Sequence, residues 1–313
     1  MLNARLLLLV WYSTVVLGLL RCHSYRFDSP SQSIPLHSTM ADIITTSIGF
    51  GTAALGSQCY AVVLLALAAG FRTFDTAEAD WWYDQAAVGR ALAAYAAATS
   101  SSSNTDDECY LTTTDTTSTG QEGEGETACM NNNDDDAANN NNNNQLCHDL
   151  RISTKIPPWE LTSADHIRSQ ARASRDTLLG FCDTTTTPLD VYYIHAPRCW
   201  TGWHPKCTDD TPSALPLRES WRALEAVVGL DHSARRIGLS NVHPPELLDI
   251  IQFVQERQET QEHDGEEAPP RMPDAVQIFA DPIQPAEEMR KICREHNIEF
   301  VSYRYDRCMC MMW

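Results

Sequence analysis

Positive charge is scarce in this chain. Lysine and arginine together number 23 against 42 acidic residues, a formal net charge of -19. Nucleic-acid binding needs clustered basic side chains on the phosphates, so the balance argues against that class of partner. Much of the acidity lies in "DDECYLTTTDTTSTGQEGEGE" and "ERQETQEHDGEE", which read as solvated segments. An anionic cofactor remains compatible, because a locally basic site suffices for one. Paired metal-binding cysteines are also missing. The 11 cysteines include no CxxC pair, and "CMC" at Cys308–Cys310 lacks partners, so no zinc site is expected. His204 and Cys199 lie close in sequence, but two residues make no metal site. Cys182 and Cys293 fall within expected strand–helix elements. Cys109, Cys129 and Cys147 lie in a polar stretch with their pairing open.

Long apolar runs are absent except at the start. "MLNARLLLLVWYSTVVLGLLRCHS" has an early Arg5, about fifteen mostly apolar residues, and small residues suited to cleavage after Ser24. That is the pattern of a secretory signal peptide, and it is short for a membrane span; the other reading is an uncleaved signal anchor. Residues 1–24 are assigned this role and 25–44 a linker. The expected location is the secretory pathway or an organelle reached through the ER, or the cytoplasm if the start is mis-called. Beyond the anchor no membrane span is expected, and the oligomeric state is open.

The remaining sequence alternates strand-like and helix-like segments. "FRTFDTA", "DLRISTKI", "LDVYYIHAP", "ARRIGLSNV", "DAVQIFADP" and "IEFVSYRY" are rich in β-formers. Between them lie helical patterns such as "SADHIRSQARASRDTLLGF", with Ser163 as N-cap, and "PPELLDIIQFVQERQ", opened by proline. With the short "IGFGTAAL" element there are seven strands. Such repetition implies parallel pairing through right-handed crossovers. A doubly wound sheet would carry a GxGxxG turn, and none is present; "GFGT" is too short. The fold expected is an α/β parallel (β/α)8 TIM barrel with about seven of eight strands present, over residues 45–303. Residues 99–146, with "NNNDDD" and "NNNNNN", read as a disordered low-complexity insertion. Residues 257–271 read as an acidic loop, and neither is expected to carry chemistry.

Polar residues recur where the strands end. Asp75, Lys155, His195 and the pair Ser240–Asn241 close successive strands, and Gln277 lies within the next. Strand ends of a parallel barrel converge on one rim, where the active sites of this architecture lie. Any one of these residues alone is more simply structural; their recurrence at equivalent positions points to a site.

At these positions the chain resembles the aldo-keto reductase family. The resemblance is carried by "GFGTAAL" (49–55), "GFRTFDTA" (70–77), "WYDQAAVGRAL" (82–92), "ISTKI" (152–156), "YYIHAP" (192–197), "RRIGLSNV" (235–242) and "VQIFADP" (276–282), in that order. It implies an NADPH-dependent oxidoreductase that reduces a small aldehyde or ketone, using a catalytic tetrad: Asp75, Tyr83, Lys155 and His195. Hydride arriving at a carbonyl carbon leaves an alkoxide that needs a proton donor. A lysine ammonium beside a tyrosine helps it serve, the aspartate holds that ammonium, and the histidine orients the carbonyl oxygen. The family's usual interval from the aspartate lands on Asp80. Counting back from "AVG" leaves Trp82 and Tyr83, and only tyrosine donates a proton usefully. The resemblance also assigns Gly51, Thr52, Ser240, Asn241, Gln277 and Tyr303 to the cofactor, with Tyr303 stacked on the nicotinamide. Trp82, Trp159 and Trp200 are assigned to the substrate pocket.

The resemblance ends at Tyr303. Family members continue with a phosphate-binding loop, an eighth strand and a basic motif for the adenosine phosphate, whereas "RYDRCMCMMW" departs from that pattern. Residues 304–313 are therefore read as an aberrant tail of a truncated chain. The alternative function is a catalytically silent reductase-like protein that binds nucleotide or a partner, or an inactive truncated product.

Overall fold

Strands buried on both faces dominate the architecture. Every residue of Arg151–Ile156 after the first is buried, and in Leu189–Ile194 only Asp190 is half-buried. Such continuous burial, without in–out alternation, belongs to a parallel sheet covered by helices. The computed structural model describes residues 48–101, 145–183, 187–205, 207–208, 213–260, 267–281 and 283–303. All of them belong to the unit Asp42–Trp313. The elements run β1 (Phe50–Gly51), α1 (Cys59–Ala68), β2 (Thr73–Asp75), α2 (Gln85–Ser101), β3 (Arg151–Ile156), α3 (Ala164–Leu179) and β4 (Leu189–Ile194). They continue with α4 (Leu217–Gly229), β5 (Ala234–Ser240), α5 (Pro244–Thr260), β6 (Ala275–Phe279), α6 (Glu287–Glu295) and β7 (Glu299–Tyr303). The seven strands form one sheet in chain order, each pair parallel. This is the seven-stranded (β/α) barrel sheet expected from the sequence.

The helices are specified locally and then packed. Ser163 is extended and its side chain accepts from the His166 N–H, capping α3 as expected. Before α5, Glu246 reaches back to the His243 N–H at 2.7 Å while its own N–H donates to the His243 carbonyl, a reciprocal cap. Buried Leu247, Ile250, Ile251 and Val254 then form one stripe of α5 against the sheet. The N-terminal ends of the strands are tied by charge: Arg236 of β5 pairs with Asp190 of β4 and Glu299 of β7.

Some boundaries differ from the sequence reading. Helix α2 continues to Ser101 and residues 145–149 are helical, so both ends of the expected insertion are structured. Helix α5 runs to Thr260, into the expected acidic loop, because Arg257 is buried against Glu225 at 2.6 Å. Cys182 lies in the turn after α3 and forms a disulfide with Cys147, ahead of β3. The expected leader, linker and tail, along with Cys109 and Cys129, lie outside the described residues. Within them, no helix is long and apolar enough to cross a membrane.

Helices α2 and α3 meet at Gly89. A Cβ built there stands 2.0 Å from the Thr177 carbonyl oxygen, a backbone atom that cannot turn away. Alanine favours an exposed helix by about 1 kcal/mol over glycine. Here overpacking of about 1–3 kcal/mol outweighs that gain. Gly89→Ala should therefore lower the melting temperature by several degrees; an unchanged or higher value would mean that the two helices do not meet at this residue.

Candidate active site

A lysine at 1 % exposure needs a partner, because a bare buried ammonium is too costly to keep charged. Lys155, next to last in β3, donates from Nζ to Asp75 Oδ2 at 2.6 Å and to the Thr76 carbonyl at 2.8 Å. Asp75 ends β2, and its other oxygen accepts from Gln277 Nε2 of β6 at 3.2 Å. A contact between the second and sixth strands closes across the inside of the curled sheet. Burial draws the Lys155 pKa downward, and the Asp75 carboxylate opposes that shift.

Tyr83 comes to the same place on a loop. The lengthened interval after Asp75 is taken up in a turn where the N–H groups of Trp82 and Tyr83 both donate to the Ala79 carbonyl, and Ala79 is fully buried. Asp84 Oδ1 then accepts from the Ala87 N–H and starts α2. The Tyr83 ring centre lies 5.7 Å from Lys155 Nζ and 5.9 Å from the His195 ring centre. Trp82 is turned differently, with Nε1 donating to the Trp203 carbonyl at 3.2 Å. The tetrad residues named from the sequence therefore cluster at the carboxyl ends of the strands.

His195 directly follows β4 and its N–H donates to the Ile156 carbonyl. Its pKa is held well below the ordinary value, chiefly by burial and then by the Lys155 charge. The ring is accordingly neutral near pH 7 and suited to hydrogen-bond an oxygen rather than to donate a whole proton. Its Nδ1 is buried with no partner among the described residues.

Four of the six residues assigned to a cofactor, Ser240, Asn241, Gln277 and Tyr303, gather on the β5–β7 side. Asn241 has φ 54°, a left-handed conformation that asparagine tolerates. From there its amide donates to the His195 carbonyl at 2.9 Å and to Ser240 Oγ at 3.1 Å, and it accepts from the Tyr303 hydroxyl. Ser240 is fully buried, and its own hydroxyl hydrogen has no acceptor among the described residues. Gln277 is buried beside it in register with Ser240. A nicotinamide carboxamide, itself one donor group and one acceptor, fits this set of amide and hydroxyl groups. Thr52 is committed elsewhere, giving both its N–H and its Oγ1 to the Asp75 carbonyl, and Gly51 is exposed with open space where a Cβ would stand.

Of the three pocket tryptophans, the structure sets Trp159 and Trp82 beside the site but Trp200 one layer out, at 41 % exposure. The indole that meets His195 is Trp203, with ring centres 4.8 Å apart. Sequence reasoning missed it because Trp203 lies well past the strand end. The available signal was its position between Cys199 and Cys207, which form a disulfide.

A further group was not foreseen. Glu78, on the tyrosine loop, accepts from Ser174 at 2.6 Å and Tyr192 at 2.8 Å through Oε1, while Oε2 is sealed with no partner among the described residues. Gln85 joins Ser174 to Thr154, the residue before Lys155. The network fixes the loop to β3, β4 and α3 at once. It borders a cavity of about 760 Å³ that Trp82 and Tyr83 also line.

The sequence profile of the aldo/keto reductase family matches residues 135–305, more than half of the chain. The chain belongs to the aldo/keto reductase family. Solved structures agree in fold. Aldose reductase from Giardia lamblia superposes with a TM-score of 0.52 at 19 % identity, over 82 % of this chain and 64 % of that one. An aldo-keto reductase of the silkworm Bombyx mori gives 0.50 at 15 % identity, over 82 % and 58 %. The chain thus spans less than two thirds of the length of these reductases. No curated protein matches it.

Burial raises the Glu78 pKa from 4.5 to about 7, although its hydrogen bonds from Ser174 and Tyr192 favour the charged form. An acid with a raised folded-state pKa holds its proton in the native protein after the unfolded chain has lost it. Its contribution to stability is therefore present below the unfolded value and falls as pH rises from about 4.5 to about 7. Glu78→Gln should remove that part of the slope, so the melting temperatures of the two proteins should draw apart with rising pH. Parallel curves over this window would contradict the assignment.

Proposed function

We propose that this aldo/keto reductase family member reduces a small aldehyde or ketone to an alcohol with NADPH, and that Tyr83 donates the proton. The observation that carries this reading is the pairing of buried Lys155 with Asp75, with the Tyr83 ring centre 5.7 Å from the lysine nitrogen and 5.9 Å from that of neutral His195. Bound NADPH supplies the hydride. Ser240, Asn241 and Gln277 would hold its carboxamide end, and Tyr303 would lie against the nicotinamide.

The side chains then have separate tasks. The ammonium of Lys155 stabilises negative charge developing on the tyrosine as its proton leaves, and Asp75 keeps that ammonium charged and in place. His195, neutral by burial, directs a hydrogen bond at the carbonyl oxygen and aligns it with the donor. A positioned proton donor is worth about 10²–10⁴-fold in rate. The two disulfides support the secretory route expected from residues 1–24, since such bonds persist in oxidising compartments.

Replacing Tyr83 by Phe removes the hydroxyl and keeps the ring. With NADPH and an aldehyde, kcat should fall by at least about 100-fold. NADPH affinity, read from quenching of its fluorescence, should stay unchanged. Full turnover in Tyr83→Phe would remove Tyr83 from the chemistry. NADPH binding without any turnover in the unsubstituted protein would favour the silent, nucleotide-binding reading.

A further inference from the structure

The loop after β4 carries a feature that the tetrad does not use. Cys199 and Cys207 close it by a disulfide, and both are buried. Inside the closure the chain turns twice: the Trp203 N–H donates to the Trp200 carbonyl and the Cys207 N–H to the His204 carbonyl. Gly202, at φ 86°, permits the reversal just before Trp203.

This small ring holds Trp203 against the catalytic histidine. Trp200 stacks on Trp203 at 3.9 Å, and His195 and Trp159 stand nearly perpendicular to it at 4.8 and 5.2 Å. The carbonyl of Trp203 accepts from Trp82, and His204 stacks on Trp159 at 4.3 Å. Surrounded in this way, Trp203 is only 6 % exposed. It offers no open face for a substrate ring to stack on. Its indole fills the space directly beside His195.

We propose that Trp203 sets the upper size of the carbonyl substrate and that the Cys199–Cys207 disulfide holds it in place. The inference rests on the reductase reading above and deepens it. Without the crosslink, the loop keeps its turn hydrogen bonds, its stacking and the Trp82 contact, but loses its covalent closure. Reduction by a dithiol cleaves the S–S bond, with two electrons and two protons passing to the two cysteines while the reagent closes to its own disulfide. The enzyme should then accept bulkier carbonyls, so its selectivity follows the redox state of the loop.

The test compares kcat/KM for 2-naphthaldehyde with that for propanal, using NADPH consumption. The ratio should rise about tenfold in Trp203→Leu, within the range by which pocket shape discriminates. It should rise comparably in the double variant Cys199→Ser/Cys207→Ser and in the native protein after dithiothreitol. The double variant Cys147→Ser/Cys182→Ser, which removes the other disulfide, should keep the native ratio even if its melting temperature falls. An unchanged ratio in Trp203→Leu overturns the role of the indole. A native ratio in the Cys199→Ser/Cys207→Ser protein overturns the clamp. If the native protein consumes no NADPH with either aldehyde, the reductase reading fails, and the clamp is read from tryptophan emission instead. Dithiothreitol should then shift the emission of the native protein and not that of Trp203→Phe; equal responses overturn the clamp on their own.

Discussion

The ion pair between buried Lys155 and half-buried Asp75 is the constraint around which the site is arranged. An ammonium at 1 % exposure is tolerable only with its carboxylate 2.6 Å away and a carbonyl satisfying a second proton. Losing Asp75 would leave the lysine charge buried without its carboxylate, the situation that costs most when an ion pair is broken. The remaining carboxylate oxygen takes Gln277 from β6, so the bond that holds the lysine also links opposite parts of the curled sheet. Electrostatics and curvature are coupled here. A sheet that flattened would separate Gln277 from Asp75 and leave the carboxylate with less to hold it.

The tyrosine depends on that pair but is not built from the strands. It sits on a loop, and loops need their own anchors. Glu78 supplies them by joining Ser174 of α3, Tyr192 of β4 and, through its N–H, the Lys155 carbonyl. A carboxyl with one well-bonded oxygen and one sealed, empty oxygen is poorly stabilised as an anion, which is why burial prevails and its pKa rises to about 7. The anchor therefore changes charge near neutral pH.

The fold was legible because parallel strands and amphipathic helices leave strong periodic signals. Seven strands, their order and the Ser163 cap follow from residues close in sequence. Asp75, Lys155 and His195 were legible for a related reason: polar residues at the ends of buried strands stand out against apolar runs. Tyr83 was harder, since its loop departs from the expected interval and only the turn closed at Ala79 shows how the extra length is absorbed. Glu78 and Trp203 were not legible. Glu78 looks like any loop acid until Ser174 and Tyr192 arrive from elements about a hundred positions away. Trp203 is placed by a disulfide and by neighbours from three separate segments, none of which leaves a periodic trace.

This division has a physical consequence for the site. The charged groups are fixed by the strand ladder, whose register cannot slip without turning every side chain to the other face. The aromatic groups around His195, Trp82, Tyr83 and Trp203, are fixed by turns, one buried carboxyl and one disulfide. Their energies are each modest and each can be changed alone. Trp203 illustrates the point: its indole touches His195 from a loop beyond β4 that a disulfide closes. On the proposed reading, the chemistry sits on the part of the structure that tolerates least change, and the choice of substrate on the part that tolerates most. The Cys199–Cys207 bond closes a loop outside the strand ladder, so on the proposed reading it could be broken while the strands that carry Lys155 and Asp75 keep their own pairing.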